Sequence, residues 1–129
     1  MTEDSGNHLD NAKAFFDRGR QLAAQKNYDY AIEMYVEGLR CNPEDVENGH
    51  VPLRELALAR QGHGGKKPTM MEKLKSGKGK MPLDHLLSAE QLFARDPDHI
   101  AYAESMLKAA IAGDFKRTAR WIALSLIHI

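Results

Sequence analysis

The stretch "HLDNAKAFFDRGRQLAAQKNYDYAIEMYVEGLRCNPED", residues 8–45, decides the fold. Leu9, Ala12, Phe15, Phe16, Gly19, Leu22 and Ala23 recur at three- and four-residue steps, the spacing that gathers side chains on one face of a helix. The polar run Gln25-Lys26-Asn27 breaks this helix. A second helix then carries Tyr28, Ala31, Ile32, Tyr35, Gly38 and Leu39 on one side. Asn42-Pro43 ends it, because proline disfavours helical geometry in the residue before it. Few stretches alternate with period two and no Asn-Gly or Asp-Gly turn sits between β-like runs, so the expectation is an all-α chain without strands.

Further along, "HVPLRELALARQG" (50–62) predicts a helix with Pro52 in its first turn. "PLDHLLSAEQLFARDP" (82–97) predicts another, and its Asp96-Pro97 ending echoes Asn42-Pro43. "DHIAYAESMLKAAIAGDFKRTARWIALSL" (98–126) predicts a last pair, with Gly113-Asp114-Phe115 standing where Lys26-Asn27-Tyr28 stands in the first. Short helices joined by tight turns suggest an internal repeat.

Residues 12–43 resemble a tetratricopeptide repeat, a helix-turn-helix unit of about 34 residues. With Ala12 at its first position, Phe15, Gly19, Leu22, Ala31, Tyr35, Gly38 and Pro43 stand where the family places alternating large and small residues and a closing proline. Tyr28 opens the second helix. Arg18 departs from the pattern, standing where the family has a large apolar residue. Leu53, Leu56, Ala57 and Arg60 follow the pattern more loosely, and in the last pair Ala119 comes four residues after Phe115 where Ala31 follows Tyr28 by three. The resemblance implies a right-handed helical-hairpin repeat, a TPR-like α-solenoid of about six helices in three hairpins. The expected organisation is a flexible N-terminus over 1–8, then one domain over 9–129. Its hairpins lie at about 9–42, about 50–96 with an insert at 62–80, and about 98–127. The apolar ending "WIALSLIHI" lacks the polar cap that repeat arrays need, which predicts a truncated end or one that packs on something.

In this family the first helix of each repeat lines a concave peptide-binding groove. Carried over, the resemblance offers Lys13, Phe16, Arg20, Ala23 and Ala24 from the first repeat, and Val51, Arg54, Leu58 and Gln61 from the second. Lys13, Arg20 and Arg54 around Phe16 and Leu58 would make a mildly basic groove for an acidic or carboxylate-bearing peptide. The family's chaperone-tail binders carry Lys and Asn where this chain has Phe16 and Arg20, so that clamp does not carry over.

The insert "GHGGKKPTMMEKLKSGKGK" (62–80) holds Lys66, Lys67, Lys73, Lys75, Lys78 and Lys80 against Glu72, a charge of +5, while the chain as a whole is neutral. It is no Walker-type phosphate loop. Arg60 and Glu72 occupy the places of the first glycine, Lys67 and Gly79 those of the hydroxyl, and no strand precedes. The expected state is a solvated, mobile loop with one short helical turn in "PTMMEKLK". The second functional reading is binding of nucleic acid or another polyanion through its lysines, weakened by the absence of Arg and aromatic residues.

The remaining chemistry is sparse. His8, His50, His63, His85, His99 and His128 are scattered without metal-ligand spacing, so neither metal nor cofactor is expected. Asp84 and Asp98 read as carboxylates in the first turns of helices. Cys41, the single cysteine, excludes an internal disulfide and reads as a packed or partly exposed thiol. Phe15, Tyr28, Tyr35, Phe115 and Trp121 read as core. With 43% hydrophobic and 28% charged residues, and neither a signal peptide nor a membrane-length apolar run, the sequence predicts a soluble cytoplasmic protein. The functional expectation is a non-enzymatic adaptor for a protein or peptide, with no membrane partner and no small-molecule substrate.

Overall fold

A computed structural model describes residues 2–76 and 78–127, with side chains described from Gly6 onward. The described residues form seven α-helices and no strand. They are α1 (Thr2–Ala24), α2 (Tyr28–Cys41), α3 (Val51–Gly62), α4 (Met70–Lys75), α5 (Pro82–Arg95), α6 (Ile100–Ala112) and α7 (Lys116–Ser125). A π-helical turn, Val46–His50, leads into α3. The first helix starts at Thr2, so the segment expected to be flexible extends α1 instead. No described helix is long and apolar enough to cross a membrane.

The first hairpin, α1 with α2, closes by matching aromatic rings to glycines. A Cβ on Gly38 would stand 2.4 Å from the Phe16 ring, and one on Gly19 would stand 2.8 Å from the Tyr35 ring. The two rings stack at 6.0 Å between centroids. Phe16 is therefore a core residue, 4% exposed, while Phe15 beside it is only half-buried. Ala12, Gly19 and Leu22 are buried as the repeat pattern places them, but Phe16 takes the core place expected of Phe15.

Three helices end in the same turn. After α1, Asn27 N–H reaches back to Leu22 O at 2.9 Å and Lys26 takes a left-handed conformation with φ 63°. After α3, Gly65 N–H bonds Arg60 O at 2.9 Å with Gly64 at φ 81°. After α6, Phe115 N–H bonds Ala110 O at 2.8 Å with Asp114 at φ 59°. Each is a left-handed helix cap with the backbone bonds of a Schellman turn. The equivalence puts Asp114 with Lys26 and Phe115 with Asn27, one residue away from the sequence alignment of the two turns. Ala31 and Ala119 then both lie four residues beyond their equivalents, each N–H bonding the residue four before it, at 3.0 and 2.9 Å. The apparent register slip disappears. α2 and α5 also end alike, with Asn42 at φ −145°, ψ 78° and Asp96 at φ −147°, ψ 73°, each before a proline.

The core has two clusters that meet at α5. Ala12, Phe16, Leu22, Ile32, Tyr35, Leu39, Leu53 and Leu56 form the first, joined by Leu87 and Ala94 of α5. Leu86, Ala89 and Phe93 on another side of α5 join Ala103, Met106, Ala110, Ile122 and Leu126 in the second. Tyr28 packs against the first cluster, and Phe115 and Trp121 against the second, each partly buried. Leu126 is buried and Ile127 packs on the second cluster, so the apolar C-terminal segment is used internally as far as the structure describes it. α5 touches α2 and α3, but its widest contact is with α6. The expected α3–α5 hairpin is thus looser than the first, because residues 63–81 separate its helices and no tight turn holds them together.

Alanine at an exposed helical glycine would add about 1 kcal/mol of helix propensity. At Gly38 the 2.4 Å approach to a buried ring reverses that sign. Gly38→Ala is expected to destabilise the protein by about 1–3 kcal/mol, read as a lower urea midpoint with an unchanged m-value.

Candidate functional site

A groove runs along the exposed side of α1 and is floored by the first core cluster. Its upper part, about 410 Å³, is lined by Leu9, Lys13, Phe16, Asp17, Arg20, Asn42, Asp45 and Asn48. Its lower part, about 400 Å³, is lined by Arg20, Ala23, Tyr28, Tyr35, Asn48, Pro52, Glu55 and Ala59. Arg20 and Asn48 border both, so the two parts adjoin. Asn48 is held by Asp45, whose carboxylate accepts its N–H at 3.0 Å and thereby caps the π-helical turn.

The sequence-derived groove residues divide. Lys13 and Arg20 are exposed on the groove wall. Phe16 contributes only the edge of a buried ring, so it is floor and not a free contact. Arg54 and Leu58 lie on a different face of α3. Arg54 sits 4.7 Å over the Phe93 ring and donates to Pro97 O at 2.9 Å, and Gln61 on the same face donates to Asp98 at 2.8 Å. Leu58 is exposed but borders neither part of the groove. Leu53, Leu56, Ala57 and Arg60 are the buried side of α3, as the repeat pattern places them, so it is the groove assignment of Arg54 and Leu58 that differs. The groove is also not basic. Arg20 is paired with Asp17, and Asp45 and Glu55 answer Lys13. Burial raises the Tyr35 phenol above its usual range, opposed by Arg20 and reinforced by Glu55 and Asp17.

The lysine-rich insert is docked and not free. Its first residues complete the α3 cap, where Gly64 supplies the left-handed backbone. Pro68 is buried. Thr69 and Glu72 form a reciprocal capping box at 3.1 and 3.0 Å that starts α4, the short helix expected within "PTMMEKLK". Glu72 pairs with Arg95 at 3.3 Å, and Arg95 and Arg60 share Asp29 at 3.6 and 3.0 Å. The capping bond from Thr69, outweighing burial and aided by both arginines, keeps the Glu72 carboxyl below its usual range. All six lysines are exposed. Gly77, within the insert, lies outside the described residues.

Spacing gave no hint of a buried polar network around His50. His50 is fully buried, and both its ring nitrogens are engaged: Nδ1 with Glu90 Oε2 and Nε2 with the Pro43 carbonyl, each at 2.7 Å. A carbonyl can only accept, so Nε2 carries a proton. With Nδ1 donating to a carboxylate, the ring is an imidazolium. Burial opposes this charge, but Glu90 chiefly, then Pro43 O and Glu44, outweigh it and hold the His50 pKa above its ordinary value. Thr118 Oγ1 lies 3.3 Å from Nε2 and donates to Pro43 O at 2.8 Å. The order Thr–His–Glu resembles a nucleophile with its base and orienting acid. The hydroxyl proton is committed to a carbonyl and both Thr118 and His50 are 0% exposed, so no substrate reaches them. The network is a joint between elements.

Glu44 completes that joint. It accepts from the Arg117 and Thr118 N–H groups at 3.0 and 2.9 Å, satisfying the open N-terminus of α7. Burial pushes its carboxyl up, but the bonds from Thr118 and Arg117 prevail and hold it below the usual range.

The other titratable residues are structural too. Asp84 lies in the first turn of α5 as expected, accepting from Met81 N–H at 3.2 Å and Arg40 at 3.0 Å. Asp98 instead precedes α6 and accepts from Gln61, so it does not face a helix end. His99 stacks on Tyr102 at 4.1 Å, and His63 bonds Ala59 O at 2.9 Å. Cys41 is partly buried. His128 lies outside the described residues. Among the described residues no group of three or more His, Cys, Asp or Glu is arranged to hold a metal ion.

Comparisons with protein-family models, with curated proteins and with solved structures find no match to this chain.

Removing one member of a buried ion pair leaves the other unpaired, at a cost of about 3–5 kcal/mol. His50→Ala is expected to lose stability in that range. A raised folded-state pKa stabilises fully below the unfolded value of about 6.5 and is lost as pH rises through the folded value. Wild-type stability should therefore fall from about pH 6.5 upward, and His50→Gln should flatten that decline in urea titrations across the same window.

Proposed function

We propose that the chain is a non-enzymatic adaptor of tetratricopeptide-repeat type, which holds an extended peptide segment in the groove along α1. The carrying observation is the pair of adjoining clefts, about 410 and about 400 Å³, that share Arg20 and Asn48. The recurrence of one cap after α1, α3 and α6 supports reading these helices as the first members of three hairpins, with α2, α5 and α7 as the second. On that reading the groove follows the first helices, as in other helical repeats.

The lining selects the ligand's character. Lys13, Asp17, Arg20, Asp45 and Glu55 give the walls mixed charge, two positive and three negative side chains. Asn42 and Asn48 offer amides that both donate and accept, which suits the backbone of an extended chain. Tyr28 and Tyr35 offer apolar faces at the floor. A peptide of mixed charge with one or two apolar side chains fits better than the acidic peptide expected from Lys13, Arg20 and Arg54, since Arg54 is committed to Phe93 and Pro97.

Arg20→Glu combined with Asn48→Arg changes two exposed wall residues and leaves the core intact. Screened against a display library of short linear peptides, the wild-type chain is expected to enrich a defined sequence class, and the double variant to lose at least tenfold in affinity for it. An unchanged profile in a variant with wild-type circular dichroism overturns the groove reading.

A further inference from the structure

The α4 segment is built inside out. A helix docked on a protein body normally turns its apolar side inward. Here Glu72 faces inward to Arg95, and Lys75 and Ser76 join Glu33, Ser88 and Gln91 around a polar cleft of about 250 Å³. Met70, Met71 and Leu74, three and four residues apart, share the opposite side and are 71%, 65% and 66% exposed. Met81, at the far end of the insert, is 65% exposed. Lys66, Lys67, Lys73, Lys75, Lys78 and Lys80 surround these side chains in sequence, all exposed and none in an ion pair among the described residues. Glu72, the segment's one acid, is turned away with Arg95. The segment therefore presents exposed apolar side chains flanked in sequence by exposed lysines that form no ion pair among the described residues, with Lys75 also bordering the inner cleft.

We infer that the insert between α3 and α5 is a contact for an anionic lipid surface, with Met70, Met71 and Leu74 entering the headgroup–acyl boundary and the lysines meeting the lipid charges. Both halves of the face are then used: apolar burial and electrostatic attraction together set the strength of interfacial binding. A second copy of the chain does not fit, since two such faces would oppose +5 with +5. Nucleic acid would engage the lysines but leave the apolar side chains in water, and the segment has no Arg or aromatic residue to stack on bases. The neutral chain carries −5 outside the insert, so an anionic bilayer attracts this face and repels the others. The binding is peripheral and salt-sensitive, because charge attraction at the surface fades within a Debye length. It differs from the sequence expectation of no membrane partner, which rested on the neutral net charge and the lack of a spanning segment.

The test is sedimentation of the full chain with phosphatidylcholine vesicles, with and without phosphatidylserine, alongside retention on duplex DNA. Binding is expected only with phosphatidylserine and to weaken with added salt. It should fall at least tenfold both in Met70→Ser/Met71→Ser/Leu74→Ser and in Lys66→Gln/Lys67→Gln/Lys73→Gln/Lys75→Gln, with thermal unfolding unchanged because all these side chains are exposed. Absence of vesicle binding overturns the inference. So does vesicle binding that the serine variant retains in full, which would make the insert a general polyanion site. DNA retention without vesicle binding overturns it in favour of nucleic acid.

Discussion

The structure depends on one buried imidazolium. His50 stands at the end of the π-helical turn and is gripped by Glu90 of α5 and by the Pro43 carbonyl after α2, both at 2.7 Å. Thr118 of α7 closes the same site from the other side. Groups from α5, α7 and the turn after α2 meet at one ring, and Thr118 and the Pro43 carbonyl also bond each other. Glu90 Oε1 has no partner of its own, so the carboxylate relies on His50 for compensation. This polar joint lies where the two apolar clusters meet at α5. Apolar packing alone would tolerate sliding there. Paired hydrogen-bond geometry fixes one arrangement, a role for which buried ionic groups are better suited than for raw stability.

The placement of α5 follows from the insert. In a compact hairpin the second helix returns at once and packs along the first. After α3 the cap forms as it does after α1 and α6, but sixteen residues of loop and short helix come before Pro82. Released from a tight turn, α5 spreads its contacts over α2, α3 and α6, and its buried face is correspondingly wide. The Asp29, Arg60, Arg95 and Glu72 cluster then ties the insert back to three helices. The chain accommodates the added length by bonding it to the scaffold's edge.

Two surfaces follow from this arrangement. The groove along α1 has Asn48 and Pro52, from the π-helical turn and the start of α3, in its opposing wall. The insert projects apolar side chains outward because its polar side is occupied by the arginine cluster. Their chemistries are separate, one a mixed-charge cleft and the other a basic, apolar knob. A peptide-binding adaptor held at an anionic surface is the combined reading.

Much of the local structure was legible in the sequence. Three- and four-residue apolar spacing placed the helices, Asn42-Pro43 and Asp96-Pro97 marked the ends of α2 and α5, and Met70, Met71 and Leu74 marked the short helix in the insert. These signals are local, since propensity, capping and proline geometry act over one or two turns. The groove was legible in part: Lys13 and Arg20 line its wall and Phe16 its floor, whereas Arg54 and Leu58 border neither part. A helix pattern gives the angle of a side chain about its own axis but not which neighbour each exposed face meets. Likewise nothing in the spacing of six scattered histidines distinguished His50. Its partners lie seven, forty and sixty-eight residues away. The sequence determined which segments are helical and where they stop; the tertiary structure alone decided which faces meet, because burial and ion pairing depend on neighbours that no local pattern records.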